Sequence, residues 1–556
     1  MTPPRYLRPV PNWEPHERPT MPGSPSFPMH STPVRLAFAG VSLLVGITGG
    51  LGNALVSANL PAIQGDLGLT PTQAAWLPAA YLTVNMTINM LLIKFRQQYG
   101  LRRFAEIGLF CYALLTIAHV FVEGFGMAVF VRAASGFAAA TASTLGVFYM
   151  LQAFPRAHTG RALIIGIGIS QLATPLAWLL SSALLNLGEW HRLYVFEAGL
   201  ALCSLAAVVV LKLPPGERVK AFEPLDFLTF ALFTPALGLF AAVLVQGRLQ
   251  WWTTEPWIAY ALIGGMCLLM VAVMIEHYRR NPLLQTRWLG TVETLRFAIG
   301  ALALRFILSE QTYGAVGLMQ TLGMGPDQLQ ALYGVIFAGV VLGIVSSALT
   351  FGPNTLAPQV LLAVVLIAIG SFLDTGSTNL TRPHDLFLSQ GLLAFAGGLF
   401  LGPMMLIGVQ RALQRGPNYL VSFIVLFSLT QSLGGLAGPA ALGTFQVVRE
   451  KYHSAHLSEQ IDPSAPAVAQ RLQQQGQFYA PLLTDPQLRQ TMSAAQLSQQ
   501  VTREANVLAF NDVFRLTGLL AIGVFGWSLF PTVRAAQRRK RAAQAQTTTA
   551  PDKSQP

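Results

Sequence analysis

The stretch from Tyr81 to Val122 reads YLTVNMTINMLLIKFRQQYGLRRFAEIGLFCYALLTIAHVFV, and its pattern decides the fold. An apolar run ends at Ile93, a connector carries Lys94, Arg96, Arg102 and Arg103, and a second apolar run follows at once. A bilayer core about 30 Å thick takes about 20 residues of helix at about 1.5 Å per residue. Two such runs around a knot of Lys and Arg are two membrane spans joined by a short basic loop.

The same pattern repeats outward in both directions. About fourteen spans are expected, at 37–60, 74–95, 104–122, 127–152, 162–185, 193–213, 227–246, 258–276, 297–320, 331–351, 359–374, 386–410, 420–445 and 512–531. The chain has 556 residues, of which 53 % are hydrophobic and 11 % charged. A soluble domain carries about 25 % charged residues. This composition excludes a soluble enzyme, a disordered scaffold and a nucleic-acid binder. The net charge of +12 sits in short connectors and fits a membrane surface. Cys111, Cys203 and Cys267 lie inside apolar runs, so neither a disulfide framework nor a metal cluster is expected. No cofactor motif is present, and no nucleophile, metal or paired-carboxylate constellation of a membrane enzyme emerges.

Lys and Arg concentrate in the even-numbered connectors, among them Lys94, Arg96, Arg156, Arg161, Lys212, Arg279, Arg280, Arg411 and Arg415. The short odd-numbered connectors hold Arg192, Arg248 and Arg382. Both termini are therefore expected in the cytoplasm, and the Gln-rich stretch 446–511 outside, with short helices around 463–475 and 485–507. Residues 1–34 carry ten prolines and are expected to be a disordered tail. A basic tail follows at 532–556.

The connectors also carry a family likeness. Leu60-Pro61-Ala62-Ile63-Gln64-Gly65-Asp66-Leu67-Gly68, Asn281-Pro282-Leu283-Leu284, Gln431-Ser432-Leu433-Gly434-Gly435 through Gly443-Thr444, and Leu508-Ala509-Phe510-Asn511-Asp512-Val513-Phe514 follow one another in an order and spacing that resemble the major facilitator superfamily, in its 14-helix drug:proton antiporter branch of the EmrB/QacA type. The resemblance implies an all-α polytopic membrane protein with two pseudo-symmetric six-helix bundles, at 35–213 and 297–531, and two helices inserted at 214–296. It implies a midplane site reached alternately from each side. It also implies a bacterial inner-membrane location and, from the loop holding Arg449, His453 and His456, a periplasmic adaptor and outer-membrane channel as partners.

Several motif positions depart from the family. The cytoplasmic gate loop keeps Gly100, Arg102 and Arg103, but its acidic position is Gln97, which supplies no charge. The acid that the branch carries on its first helix falls at Gly52. Of the antiporter motif in span 5 only Pro175 survives, where a missing backbone bond allows a hinge. Arg132 of span 4 is retained.

Ionisable groups within spans cost several kcal/mol when unpaired and are functional candidates by default. Glu310 in span 9 is the first candidate for proton coupling, with Glu197 in span 6 and Arg132 beside it; the bland alternative for each is a structural charge pair, for Glu197 with Arg192 or His191. Arg305 is placed to hold an anionic substrate or a carboxylate. Glu310, Tyr313, Gly314 and Gly317 share a face, so Tyr313 joins the substrate-binding candidates and the glycines imply close helix packing. His119 reads as a packed residue, and Glu106 and Glu276 as local charge balance. The leading functional expectation is proton-coupled efflux of hydrophobic or amphipathic small molecules. The alternatives are a selective exporter of an aromatic or organic acid, and a non-transporting receptor or scaffold.

Overall fold

The computed structural model describes residues 6–7, 12–185, 191–352, 354–462, 465–478 and 480–548. Thirteen helices among them are long and apolar enough to cross a membrane. They are α1 (Thr32–Ala58), α2 (Pro71–Tyr99), α3 (Leu101–Ala118), α4 (Phe125–Ala153), α5 (Thr159–Gly168 and Ala173–Leu185), α6 (His191–Val210), α7 (Pro224–Gln246), α8 (Pro256–Tyr278), α10 (Gln330–Leu349), α11 (Leu356–Leu373), α12 (Phe387–Arg415), α13 (Pro417–Glu459) and α14 (Pro486–Thr548). The remaining expected span, α9, is present in pieces: Val292–Ile307, a π-helical turn Glu310–Ala315, and Val316–Thr321. The span expected at 297–320 is thus broken rather than one continuous helix. A single π turn inside an α-helix is a frequent mark of a functional site.

Helix pairing repeats between the halves. In the first half α2 packs on α4, α3 on α6 and α1 on α5; in the second, α10 packs on α12, α11 on α14 and α9 on α13. Small residues make the close approaches possible, as expected for α4: a β-carbon on Gly136 would stand 2.3 Å from the Tyr81 carbonyl oxygen of α2. The inserted pair α7–α8 leans on α2 and α13. An ion cluster fixes it there. Asp226 of α7 takes Lys94 of α2 at 2.6 Å and Arg279 at 2.7 Å. Arg279 also pairs with Glu223 and Glu276, and Glu276 accepts the backbone N–H groups of Leu283 and Leu284. The Arg279 guanidinium bonded to Glu223 holds that carboxyl below the usual carboxylate range.

The halves meet where α5 lies along α10, and where α2 meets α13. At one end Trp178 of α5 stacks on Tyr333 of α10 at 5.1 Å, and Gln330 donates to the Leu179 carbonyl. At the other end Gly160 and Gly168 of α5 sit against Phe351 and Ile344. The conformer is closed between α5 and α10 at both ends. α5 itself breaks into a 3₁₀ turn at Ile169–Leu172, just ahead of Pro175.

The stretch 446–511 carries the two expected helices, one at Pro466–Phe478 and one from Pro486, but α13 runs on to Glu459 and the second helix is continuous with α14. Among the described residues no helix precedes Thr32, as the prolines dictate, but residues 12–31, expected as part of a disordered tail, are placed against the bundle. They lie across the connectors of the first half, with Met21, Ser24, Ser26 and Phe27 buried.

Candidate functional site

Two buried polar clusters stand inside the bundle, one in each half. In the first, Arg132 of α4 donates from Nη1 to the Gly52 carbonyl at 2.8 Å and from Nη2 to Asn53 Oδ1 at 2.9 Å. Its guanidinium lies 4.6 Å from the Tyr81 ring centroid. Tyr112 of α3 donates to Glu197 Oε1 of α6 at 2.8 Å. Glu197 Oε2 is buried with no hydrogen-bond partner. Arg132 and Glu197 lie within electrostatic reach of each other, with Gly52 packed against the carboxylate. The partner of Glu197 is therefore Tyr112, rather than the Arg192 or His191 of the bland reading. His119 stacks on Tyr194 at 4.5 Å and bonds the Leu115 carbonyl, as a packed histidine does.

In the second half, Glu310 sits on the π turn of α9 and is fully buried. Its neighbour is a second carboxyl, Asp374, at the end of α11. Gln390 of α12 joins them, its Nε2 3.3 Å from Glu310 Oε1 and 2.8 Å from Asp374 Oδ2. Ser371 Oγ donates to Glu310 Oε2 at 3.4 Å. Among the described residues no Lys, Arg or His forms an ion pair with either carboxyl. The structural charge pair weighed for Glu310 is replaced by a carboxyl–carboxyl pair. Two adjacent carboxylates in apolar surroundings repel, and a proton removes that repulsion at least cost.

Neither Asp374 nor Gln390 was singled out from sequence. Asp374 stood at the expected edge of span 11, and nothing in the spacing linked it to Glu310.

The other candidates separate. Gly314 and Gly317 do face α14, against Phe514 and Phe510. Tyr313 turns away from Glu310: its hydroxyl takes a hydrogen bond from Arg248 and donates to Gln446, both at 3.3 Å. Arg305 is half-buried against Gly434 and Gly435 of α13, with no carboxylate paired to it among the described residues. Of the gate residues, Gly100 closes α2 at φ +89° against Arg218. Gln97 accepts the Val219 N–H through its carbonyl. Arg102 pairs with Glu106 at 2.8 Å on the surface, and Arg103 is exposed. A cavity of about 1140 Å³ opens among Arg382, Arg471, Arg503 and Glu504, beside the 446–511 extension and away from both buried clusters.

Thirteen membrane-length helices among the described residues and the broken α9, paired alike in two halves, with buried carboxyls and an arginine inside them, are the architecture of a polytopic membrane transporter. The sequence profile of the Major Facilitator Superfamily matches residues 42–439, and the chain belongs to that family. It is similar to the multidrug export protein EmrB of Haemophilus influenzae, 21 % identical over 85 % of this chain and 91 % of that protein. It is also similar to the puromycin resistance protein of Streptomyces alboniger, 25 % identical over 71 % of this chain and 78 % of that protein. Among solved structures, the human organic anion transporter MFSD10 superposes with a TM-score of 0.53 over 88 % of this chain and 99 % of that one, at 13 % identity. That likeness concerns the fold.

Proposed function

We propose that this chain exports hydrophobic or amphipathic small molecules from the cytoplasm across a bacterial inner membrane, driven by protons. The observation that carries the reading is the Glu310–Asp374 pair, buried with no counter-cation among the described residues and bridged by the amide of Gln390. A site of this kind changes charge by binding and releasing one proton. Because Glu310 rides on a π turn of α9, its charge state is placed to bias the two arrangements of the bundle. The Arg132–Tyr112–Glu197 cluster is the second candidate on the coupling path. The names of the relatives, multidrug export and antibiotic resistance, support the substrate class.

Lys and Arg in the even-numbered connectors support cytoplasmic termini. The 446–511 extension then faces the periplasm. Phe478 and Leu482 there are 86 % and 80 % exposed, which favours a protein partner such as a periplasmic adaptor leading to an outer-membrane channel. A second reading, export of an organic acid, rests on Arg305, which pairs with no carboxylate among the described residues.

Accumulation of hydrophobic compounds in inverted membrane vesicles tests the proposal. Uptake that requires an inside-acid pH gradient and collapses with a protonophore is expected. Uptake indifferent to the gradient, or none across hydrophobic cations, neutral aromatics and aromatic acids, contradicts it.

A further inference from the structure

We propose that residues 12–31 form a latch for the cytoplasmic side of the transporter, in which Met21 plugs into the second half and must leave it each time that side opens. The sidedness rests on the reading above; the latch itself does not depend on proton coupling.

The segment is tied by many polar contacts to the first half and to the linker that follows it. Gly23 N–H donates to the Glu217 carbonyl at 3.2 Å, and Ser26 N–H to that of Pro215 at 3.3 Å. Gln152 at the end of α4 donates to the Ser26 carbonyl at 2.9 Å and bonds His30 through its oxygen at 3.0 Å. Arg156 donates to the Pro15 carbonyl at 3.0 Å and lies 5.7 Å from the Phe27 ring centroid.

Met21-Pro22-Gly23-Ser24 forms a tight turn. Ser24 N–H bonds the Met21 carbonyl at 3.1 Å, the Ser24 hydroxyl bonds the same oxygen at 2.7 Å, and Gly23 has φ +78°. Proline followed by a positive-φ glycine is the chemistry of a type II turn. Gly23 also lies on Gln97: a β-carbon there would stand 2.8 Å from Gln97 Cγ and 3.0 Å from its Cα.

The tip of this turn crosses to the other half. Met21 is 7 % exposed and joins the apolar cluster of Phe297, Leu401, Met404, Leu420 and Phe423 on α9, α12 and α13. The latch is thus asymmetric, with many hydrogen bonds on the first half and its linker and one flexible apolar side chain on the second half. Separating the halves on this side breaks the weaker attachment first. The neutral Gln97 at the gate loop fits the same picture, because closure by Met21 requires no charge there.

The test uses the full chain, with Cys111, Cys203 and Cys267 replaced by alanine and Phe351→Cys placed at the α5–α10 seam. Labelling by a membrane-impermeant maleimide from the cytoplasmic side reads the opening. Met21→Ser is expected to speed labelling on the order of tenfold, the loss of one buried side chain's worth of closure. Gly23→Val, which lifts the turn from Gln97, is expected to do the same. Met29→Ser, at an 87 % exposed position of the same segment, is the control and leaves the rate unchanged. Thermal unfolding establishes that each variant is folded. Unchanged labelling in folded Met21→Ser and Gly23→Val, or equal acceleration by Met29→Ser, overturns the latch. Neither outcome bears on proton coupling, since no substrate or gradient is applied.

Discussion

Gly52 of α1 touches Glu197 of α6: a β-carbon built on the glycine would stand 2.4 Å from Glu197 Oε1 and 2.5 Å from the Tyr112 hydroxyl. The Gly52 carbonyl meanwhile accepts the Arg132 guanidinium. The glycine leaves room on α1 for a carboxylate reaching in from α6.

Gly52→Ala is therefore expected to cost about 1–3 kcal/mol of stability by overpacking, with transport reduced. Gly52→Asp alone should be worse, since it sets two carboxylates in one space. Gly52→Asp combined with Glu197→Ala removes the carboxylate contact, leaves only the Tyr112 hydroxyl to shift, and returns a carboxylate to Arg132, so it should recover part of the stability and of the transport. Thermal unfolding in detergent and substrate efflux check the series; a double variant no better than Gly52→Asp would refute the exchange.

The ion cluster on Arg279 is structural. Arg279→Ala leaves Asp226 and Glu276 buried with less compensation and is expected to cost about 3–5 kcal/mol. Arg102→Ala, which breaks only the surface pair with Glu106, should change stability by less than about 1 kcal/mol. Equal losses in a thermal assay would contradict this ranking.

The same cluster sets a pH dependence. The folded carboxyl of Glu223 titrates below its ordinary range because of the Arg279 hydrogen bond. A depressed carboxylate contributes stability that is complete above the ordinary Glu range and lost as pH falls through the folded value. Glu223→Gln should lower stability at neutral pH and converge with the intact protein at acid pH, so that the acid limb of the stability profile flattens. A change confined to pH 7 and above would count against the assignment.

Arg305 has no ion-pair partner among the described residues, so Arg305→Ala strands no carboxylate there and should preserve the fold. If organic acids are substrates, their apparent KM should rise on the order of tenfold, with neutral and cationic substrates unaffected. A uniform loss across all three classes would show that Arg305 serves packing on Gly434 and Gly435 instead.

The spans were legible because a bilayer imposes length and hydropathy on each of them separately. Arg132, Glu197 and Glu310 were legible for the related reason that a charge inside an apolar run stands out. Pairing was not. Asp374 lay where span 11 was expected to end and read as a boundary residue, while Gln390, uncharged, carried no signal. Their meeting with Glu310 depends on how α9, α11 and α12 pack. The π turn at Glu310 has no sequence mark of its own. The N-terminal segment, expected to be disordered, buries Met21 and Phe27. Its prolines do exclude a helix, but exclusion of helix is not disorder, and the Pro22-Gly23 turn with its buried Met21 was written in the same residues.

The most direct test of the central claim is proton release on adding substrate to proteoliposomes containing the intact protein, Glu310→Gln or Asp374→Asn. The account predicts release by the intact protein and its loss in both variants, with each variant folded and still binding substrate. Release at the intact rate in either variant would contradict the Glu310–Asp374 pair as the seat of coupling.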